Sequence, residues 1–223
     1  MLKCVHGLLE PAAVQTLLGI AEKGEMVDGR STAGKLLHQA KKNQQLKPTT
    51  EQRNQIVSIV TKAIEGSDEF KNFALPKRIL PPTINRYEPG MEYGSHIDNP
   101  IMGGTNHIRS DLSMTIFLSP PDSYDGGELV MDTPMGEQEI KLLSGDAVVY
   151  ATMLRHRVKP VTRGVRIAAV TWMQSFIKDP LQREIIHDLD IARRALRDRD
   201  PDSEEYKRLL TASSNLFKMW ADV

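Results

Sequence analysis

His96 and Asp98 stand two residues apart in "GSHIDN", and a further histidine, His156, follows far downstream in "LRHRV". Side chains at i and i+2 of an extended segment leave the same face, so one imidazole and one carboxylate can reach a common point from a strand end. His156, at the start of a predicted strand, would add a second imidazole. Two histidines and a carboxylate on one face of an octahedron hold Fe(II) and leave positions open for substrate and O2, although a zinc hydrolase can use the same three side chains. His107, in the glycine-containing loop "MGGTNHIRSD", is the alternative third ligand. His38 lies in a polar early loop, and His187 sits beside Asp188 in a helical stretch, where a solvated or capping role is the ordinary one. Cys4 and His6 have no second pair at finger-like spacing, so a first strand with Cys4 buried is the simpler reading.

Arg166 adds a second chemical signal. Strict alternation along "GVRIAAVTW" puts Arg166, Ala168, Val170 and Trp172 on one face and Val165, Ile167 and Ala169 on the other. A guanidinium then points into an apolar layer. An unpaired buried charge costs several kcal/mol, so unless Arg166 lies at an exposed edge an anion is the expected partner, and the planar fork suits a carboxylate from a ligand or from an internal Asp or Glu. Asn85 and Tyr87, two apart on the strand leading to His96, are candidates to face the same interior. Tyr93 either positions the His96–Asp98 segment or packs, while Tyr150 and Trp172 read as core aromatics. The "DGGEL" turn reads as strand geometry permitted by paired glycines.

The elements that must position these groups follow from pattern. "LEPAAVQTLLGIAEKG" predicts an amphipathic helix with Pro11 at its start and Val14, Leu17, Leu18 and Ala21 on its apolar face. Residues 24–48 read as loop with perhaps one strand. Thr49 and Gln52 suggest a capping box opening a helix lined by Ile56, Val57, Val60, Ala63 and Ile64 that ends near Gly66. From Leu75 the texture is β, with about seven short strands separated by turn signals, which points to two packed sheets in a sandwich or jelly roll. Beyond Lys178 two helices are expected, the first with a stripe of Leu181, Ile185, Leu189, Ala192 and Leu196, the second with Tyr206, Leu209, Leu210, Phe217 and Trp220. The division is a domain of residues 1–177, with its jelly roll at about 78–177, and a helical extension of 178–223.

With 223 residues the chain can bury a substantial core. Lys+Arg and Asp+Glu are 29 each, so no global field favours nucleic acid or an anionic membrane. One cysteine allows no internal disulfide, and neither a signal peptide nor a membrane span is visible, so a cytoplasmic protein is expected. A homodimer is the assembly expected from the frequency of symmetric pairs.

The set His96-x-Asp98, His156 and Arg166 resembles the Fe(II) and 2-oxoglutarate dependent dioxygenases of the prolyl 4-hydroxylase-like branch. The segments "VDGRSTAG", "KNQQL" (where the family has "NNQQL"), "RILPPTINRYEPGMEYGSHIDN", "DLSMTIFLSPPDSYDGGELV", "GDAVVYATMLRHRVKPVTRGVRIAAVTWMQS" and "NLFKMWADV" resemble the bacterial PKHD-type hydroxylases along nearly the whole chain. The resemblance implies a double-stranded β-helix in an α+β fold, one Fe(II) per chain on His96, Asp98 and His156, and Arg166 on the distal carboxylate of 2-oxoglutarate. It names L-ascorbate as reductant, and the strand alternation leaves Asn85 and Tyr87 either to bond that cosubstrate or to serve as core or barrel rim. The implied reaction hydroxylates a C–H bond with O2 while 2-oxoglutarate is decarboxylated to succinate and CO2. Two rivals are a zinc hydrolase and a non-catalytic sensor of iron or 2-oxoglutarate. A scaffold likeness does not transmit the prime substrate, so a peptidyl proline, another side chain and a small molecule such as an iron chelate are all compatible. Residues 24–48 and 99–110 are expected to border the cavity mouth and set specificity.

Overall fold

Thr49 and Gln52 form the expected capping box: the Gln52 amide donates to Thr49 Oγ1 at 3.2 Å, and the Thr49 amide donates to Gln52 Oε1 at 2.9 Å. The computed structural model describes residues 2–32 and 40–223. In chain order the elements are β1 (Leu2–Val5), α1 (Pro11–Lys23), β2 (Glu25–Asp28), a 3₁₀ turn at Gly29–Thr32, β3 (Lys41–Lys42), β4 (Gln44–Lys47), α2 (Thr50–Gly66) and α3 (Asp68–Ala74). They continue as β5 (Pro76–Ile79), β6 (Thr83–Tyr87), β7 (Glu92–His96), β8 (Ile101–Met102), β9 (Ile108–Arg109), β10 (Leu112–Phe117), β11 (Tyr124–Gly126), β12 (Leu129–Thr133) and β13 (Gly136–Ile140). The chain ends with β14 (Ala147–Ala151), β15 (His156–Val158), β16 (Val161–Gly164), β17 (Arg166–Ser175), α4 (Pro180–Arg199) and α5 (Glu204–Trp220).

The strands build a major sheet in the order β1-β14-β10-β17-β6-β4-β2, with β5 also on β17, and a minor sheet in the order β13-β12-β15-β7-β3. Their pairings are antiparallel. One core lies between the major sheet and helices α1 to α3, and includes Val14, Leu17, Ile56, Phe70, Met114, Val149 and Ala169. The other lies inside the jelly roll and includes Tyr87, Phe117, Leu129, Val148, Tyr150 and Val158. The major sheet is therefore covered on both faces, which is why "AVVYA" of β14 is apolar without alternation and buried throughout. In β10 the alternation is chemical: Leu112, Met114 and Ile116 face the helices, while Ser113 and Thr115 turn polar groups inward.

Several expectations are corrected. Residues 24–48 hold β2, β3 and β4 rather than one strand in a loop, because β4 pairs with both β2 and β6 and so joins the major sheet. Helix α3 was not anticipated; Ser67 caps it, its hydroxyl accepting from the Phe70 amide. Cys4 is half-buried rather than buried, since β1, among the described residues, is an edge strand paired with β14 alone. The stripe expected on α4 is not its buried face. Arg183 and Ile186 are buried there, whereas Leu181 is 64 % exposed, because the helix docks through its first turns, with Arg183 Nη1 donating to the Ile177 and Lys178 carbonyls. The chain's end returns to the sheet: Ile177 bridges Ala221, and the Asp222 amide donates to Phe176 O at 2.8 Å.

Candidate metal centre

The antiparallel register of β7 and β15 sets His96 opposite His156, and the i+2 relation brings Asp98 to the same point. Each ring is oriented by its own backbone. Nδ1 of His96 lies 2.8 Å from Gly94 O and Nδ1 of His156 lies 2.9 Å from Leu154 O. A carbonyl can only accept, so each Nδ1 carries a proton, and in the tautomer this selects for a neutral imidazole Nε2 keeps the lone pair. Those Nε2 atoms lie 4.0 and 3.8 Å from the Asp98 oxygens, too far for hydrogen bonds. The ligand atoms of His96, Asp98 and His156 all lie within 4.8 Å of one another. Three donors at that spacing can share one ion.

Neighbouring groups hold this geometry. Ser113 Oγ donates to Asp98 Oδ2 at 2.5 Å. The Tyr93 ring stacks on His96 with centroids 3.8 Å apart, and Tyr150 meets His156 edge-on at 5.0 Å. Burial, and then the neighbouring His156, lowers the His96 pKa to about 4, which keeps the imidazole neutral and available as a ligand at ordinary pH.

Arg166 opens β17 opposite Tyr87 and is 2 % exposed. Its guanidinium carbon sits 5.1 Å from the centroid of Tyr87 and 5.6 Å from that of Phe117. Nε is buried with no hydrogen-bond partner. The alternation read along this strand holds, since Arg166, Val170 and Trp172 line one cavity while Ile167, Ala169 and Met173 pack towards the helices. That cavity, of about 400 Å³, also contains His96, Asp98 and His156 on its wall.

Residues 82–174 match the 2OG-Fe(II) oxygenase superfamily. A PKHD-type hydroxylase of Maricaulis maris is 47% identical over 209 residues, 94% of each chain, and one of Synechococcus elongatus is 40% identical over the full length of both. The chain belongs to the PKHD-type hydroxylases. By class it is a 2-oxoglutarate-dependent dioxygenase. Its jelly roll is shared with a Pseudomonas putida prolyl-4-hydroxylase (TM-score 0.55, 19% identity, 78% of this chain and 92% of that one). It is shared too with a prolyl hydroxylase from Trichoplax adhaerens (TM-score 0.56, 16% identity, 82% and 86%).

A PKHD-type hydroxylase needs a site for Fe(II) and one for a dicarboxylic 2-oxo acid, and this chain's groups suit both. Two imidazoles and a carboxylate are the donor set Fe(II) favours, and the orphaned Arg166 Nε calls for a buried anion. Asn85 and Tyr87 both line the cavity. The Asn85 amide is engaged within the protein: Oδ1 accepts from Asn43 Nδ2 at 3.1 Å and Gln45 Nε2 at 2.9 Å, and Nδ2 donates to Thr83 O at 3.3 Å.

Among the described residues, His107 and His187 lie outside this cluster. His107 is exposed, outside the metal cluster, with its carbonyl accepting from Arg78. His187 is half-buried against the Phe73 ring at 5.5 Å rather than solvated. His38 lies outside the described residues. Sequence reasoning undervalued Tyr150, which packs in the jelly-roll core yet lines the cavity, and the half-buried Trp172, which lines it too, and it missed Lys41, Thr115 and Gly127. The inward alternation of β10 and β14 could have pointed to Thr115 and Tyr150. At Gly127 (φ +66°) a Cβ would meet Arg166 Cδ at 2.9 Å, so this glycine leaves room for the arginine stem besides turning the chain. Both expected border segments reach the cavity, residues 99–110 through Asn99 and Ile101–Gly104 and the early segment through Lys41 and Gln45.

Proposed function

We propose that this hydroxylase binds one Fe(II) per chain on His96 Nε2, an Asp98 oxygen and His156 Nε2, and holds the distal carboxylate of 2-oxoglutarate on Arg166. When bound, the iron would activate O2 with 2-oxoglutarate as the two-electron co-reductant, so that O2, 2-oxoglutarate and a C–H bond give an alcohol, succinate and CO2. The chain's own groups orient and shield. Gly94 O and Leu154 O fix the tautomers of the two histidines, Ser113 steadies Asp98, and Tyr93 and Tyr150 fix the ring planes. Tyr87 and Phe117 sandwich the guanidinium in a dry environment where a carboxylate pair is strong. Asn85 supports the same wall through its contacts with Asn43 and Gln45.

One observation carries the reading: a buried arginine with an unpartnered Nε shares a cavity with three metal-type donors within 4.8 Å. L-ascorbate would serve as the reductant that keeps the iron ferrous. Residues 1–177 would form the dioxygenase domain and 178–223 a helical extension, in a cytoplasmic enzyme with no nucleic-acid or membrane partner. Among the described residues no helix is long and apolar enough to cross a membrane. Exposed Leu181, Ile185 and Ile191 offer a homodimer an apolar face, which sedimentation would test.

The test of the centre is an anaerobic titration with Fe(II) and then 2-oxoglutarate. The visible charge-transfer band of a chelated 2-oxo acid is expected in the wild type and absent in His156→Ala. A folded wild type that never shows the band would overturn the proposal.

A further inference from the structure

Val170 and Trp172 share the inward face of β17 with Arg166, yet they are half-buried where Arg166 and Ala168 are buried. The inward face therefore opens towards the Trp172 end of the strand. The metal centre stands at that end, because Ser113, whose hydroxyl holds Asp98, pairs with Trp172 across β10 and β17. A cosubstrate held on Arg166 and reaching the metal would occupy the inner half of the strand. The outer half, with Val170 and Trp172 on the cavity wall, is left for the prime substrate.

An apolar lip joins this outer half. Ile101 and Met102 of β8 line the cavity, and Ile101 and Ile97 are 55 % and 51 % exposed at its mouth. The lip is seated through Leu80: a Cβ at Gly103 (φ +99°) would meet Leu80 Cδ2 at 2.9 Å, and the Leu80 amide donates to Trp172 O at 2.9 Å. The Thr83 hydroxyl is taken up by Val170 O at 3.3 Å. Charge is already spoken for. Among the described residues the charged or titrating wall positions, tyrosines aside, are Lys41, His96, Asp98, His156 and Arg166. The histidines and Asp98 go to the metal and Arg166 to the cosubstrate, while Lys41 has a partner within the protein. An ion on the substrate would then find no charged side chain to pair with, and burying it unpaired is costly. Half-exposed isoleucines, by contrast, gain from any apolar group laid on them.

We infer that the prime substrate is a small uncharged molecule, and that the carbon to be hydroxylated belongs to an apolar group held by Val170 and Trp172 of β17 together with Leu80, Ile101 and Met102. Its size follows from the cavity, about 400 Å³ in all, part of which the cosubstrate takes. The inference rests on the metal and cosubstrate assignment above. It sets aside charged side chains and ionic chelates as substrates, and it makes Ile101 and Met102 specificity-determining residues.

The experiment uses the full chain loaded with Zn(II) and the non-decarboxylating 2-oxoglutarate analogue N-oxalylglycine, both quantified by calorimetry. Cyclohexylmethanol and benzyl alcohol are then titrated by ligand-observed NMR, each beside the carboxylate and the methylammonium of the same ring. A capped Gly-Phe-Gly peptide presents the benzyl group on a polypeptide instead. The alcohols are expected to bind at least tenfold tighter than their ions, and benzyl alcohol at least as tightly as the peptide. The double variant Ile101→Ser, Met102→Ser, confined to the lip, should weaken the alcohols at least fivefold and leave Zn(II) and N-oxalylglycine affinities unchanged. An ion binding as tightly as its alcohol, no alcohol binding, a preference for the peptide, or alcohol affinity unchanged in the lip variant would overturn the inference. Where Zn(II) and N-oxalylglycine bind normally, such a result sinks the substrate assignment alone; where they do not bind the wild type, the underlying centre falls, and this inference with it.

Discussion

Arg166 carries a charge that 2 % exposure leaves little water to solvate, and its binding role can be measured separately from that of the metal ligands. Arg166→Ala should weaken 2-oxoglutarate by about 2–5 kcal/mol through loss of a buried charge-assisted pair, with Fe(II) still bound. Unchanged cosubstrate affinity in calorimetry would remove Arg166 from the site. At the metal, His156→Ala should abolish Fe(II) binding while His107→Ala spares it, because His107 is exposed outside the cluster. His96 adds a pH dependence. Its folded pKa, about 4, lies below the ordinary 6.5, so the unfolded chain takes up the proton first as acid is added. The stability associated with neutral His96 is present above about pH 6.5 and is lost as pH falls towards 4. Thermal melts of metal-free protein should show that decline, and His96→Gln should flatten it; an equal slope in both proteins would contradict the assignment.

At the scale of elements, the lip of the cavity is held from behind. Strand β9 pairs with β8, whose Ile101 and Met102 line the cavity, and Arg109 of β9 donates to Asp222 at 2.6 Å and to Asp111 at 2.7 and 3.0 Å. Lys77 Nζ holds the Asp222 carbonyl at 2.9 Å, and Arg78 holds the carbonyls of Asn106 and His107. The chain's end thus braces the segment expected to set specificity. Asp222→Ala should speed amide hydrogen exchange across residues 101–109 while leaving Fe(II) affinity unchanged. Protection identical to wild type would mean that the Asp111 contact suffices.

For the whole molecule, the C-terminal helices are more than an appended cover. Ile177 is fully buried and bridged to Ala221, α4 inserts Arg183 beneath the sheet's exit, and α4 presses His187 on Phe73 of α3. A chain cut after residue 177 would uncover these groups at once. It should melt well below the full chain and bind Fe(II) only where it stays folded; an unchanged melting temperature would show that 1–177 is self-sufficient. The helical stripe expected on α4 misled because periodicity reports an amphipathic surface without saying whether a partner covers it, and here Leu181 and Ile185 face outward.

Much of the chemistry was legible in one dimension. The i, i+2 spacing of His96 and Asp98, the strand alternation around Arg166 and the capping box at Thr49 are local, and local geometry is dictated by backbone period and side-chain type. The jelly roll followed from short strands between turn signals, and the family resemblance fitted both. Tertiary structure decided what depends on contacts between distant segments. Which histidine joins the pair is a matter of β7 meeting β15, and whether Arg166 has an internal partner is known only once Tyr87 and Phe117 are seen on either side of it. Lys41 was invisible for the same reason: "KKNQQLK" belongs to a polar stretch without period that reads as loop with perhaps one strand, and only the docking of a two-residue strand against Gly94 carries it inside.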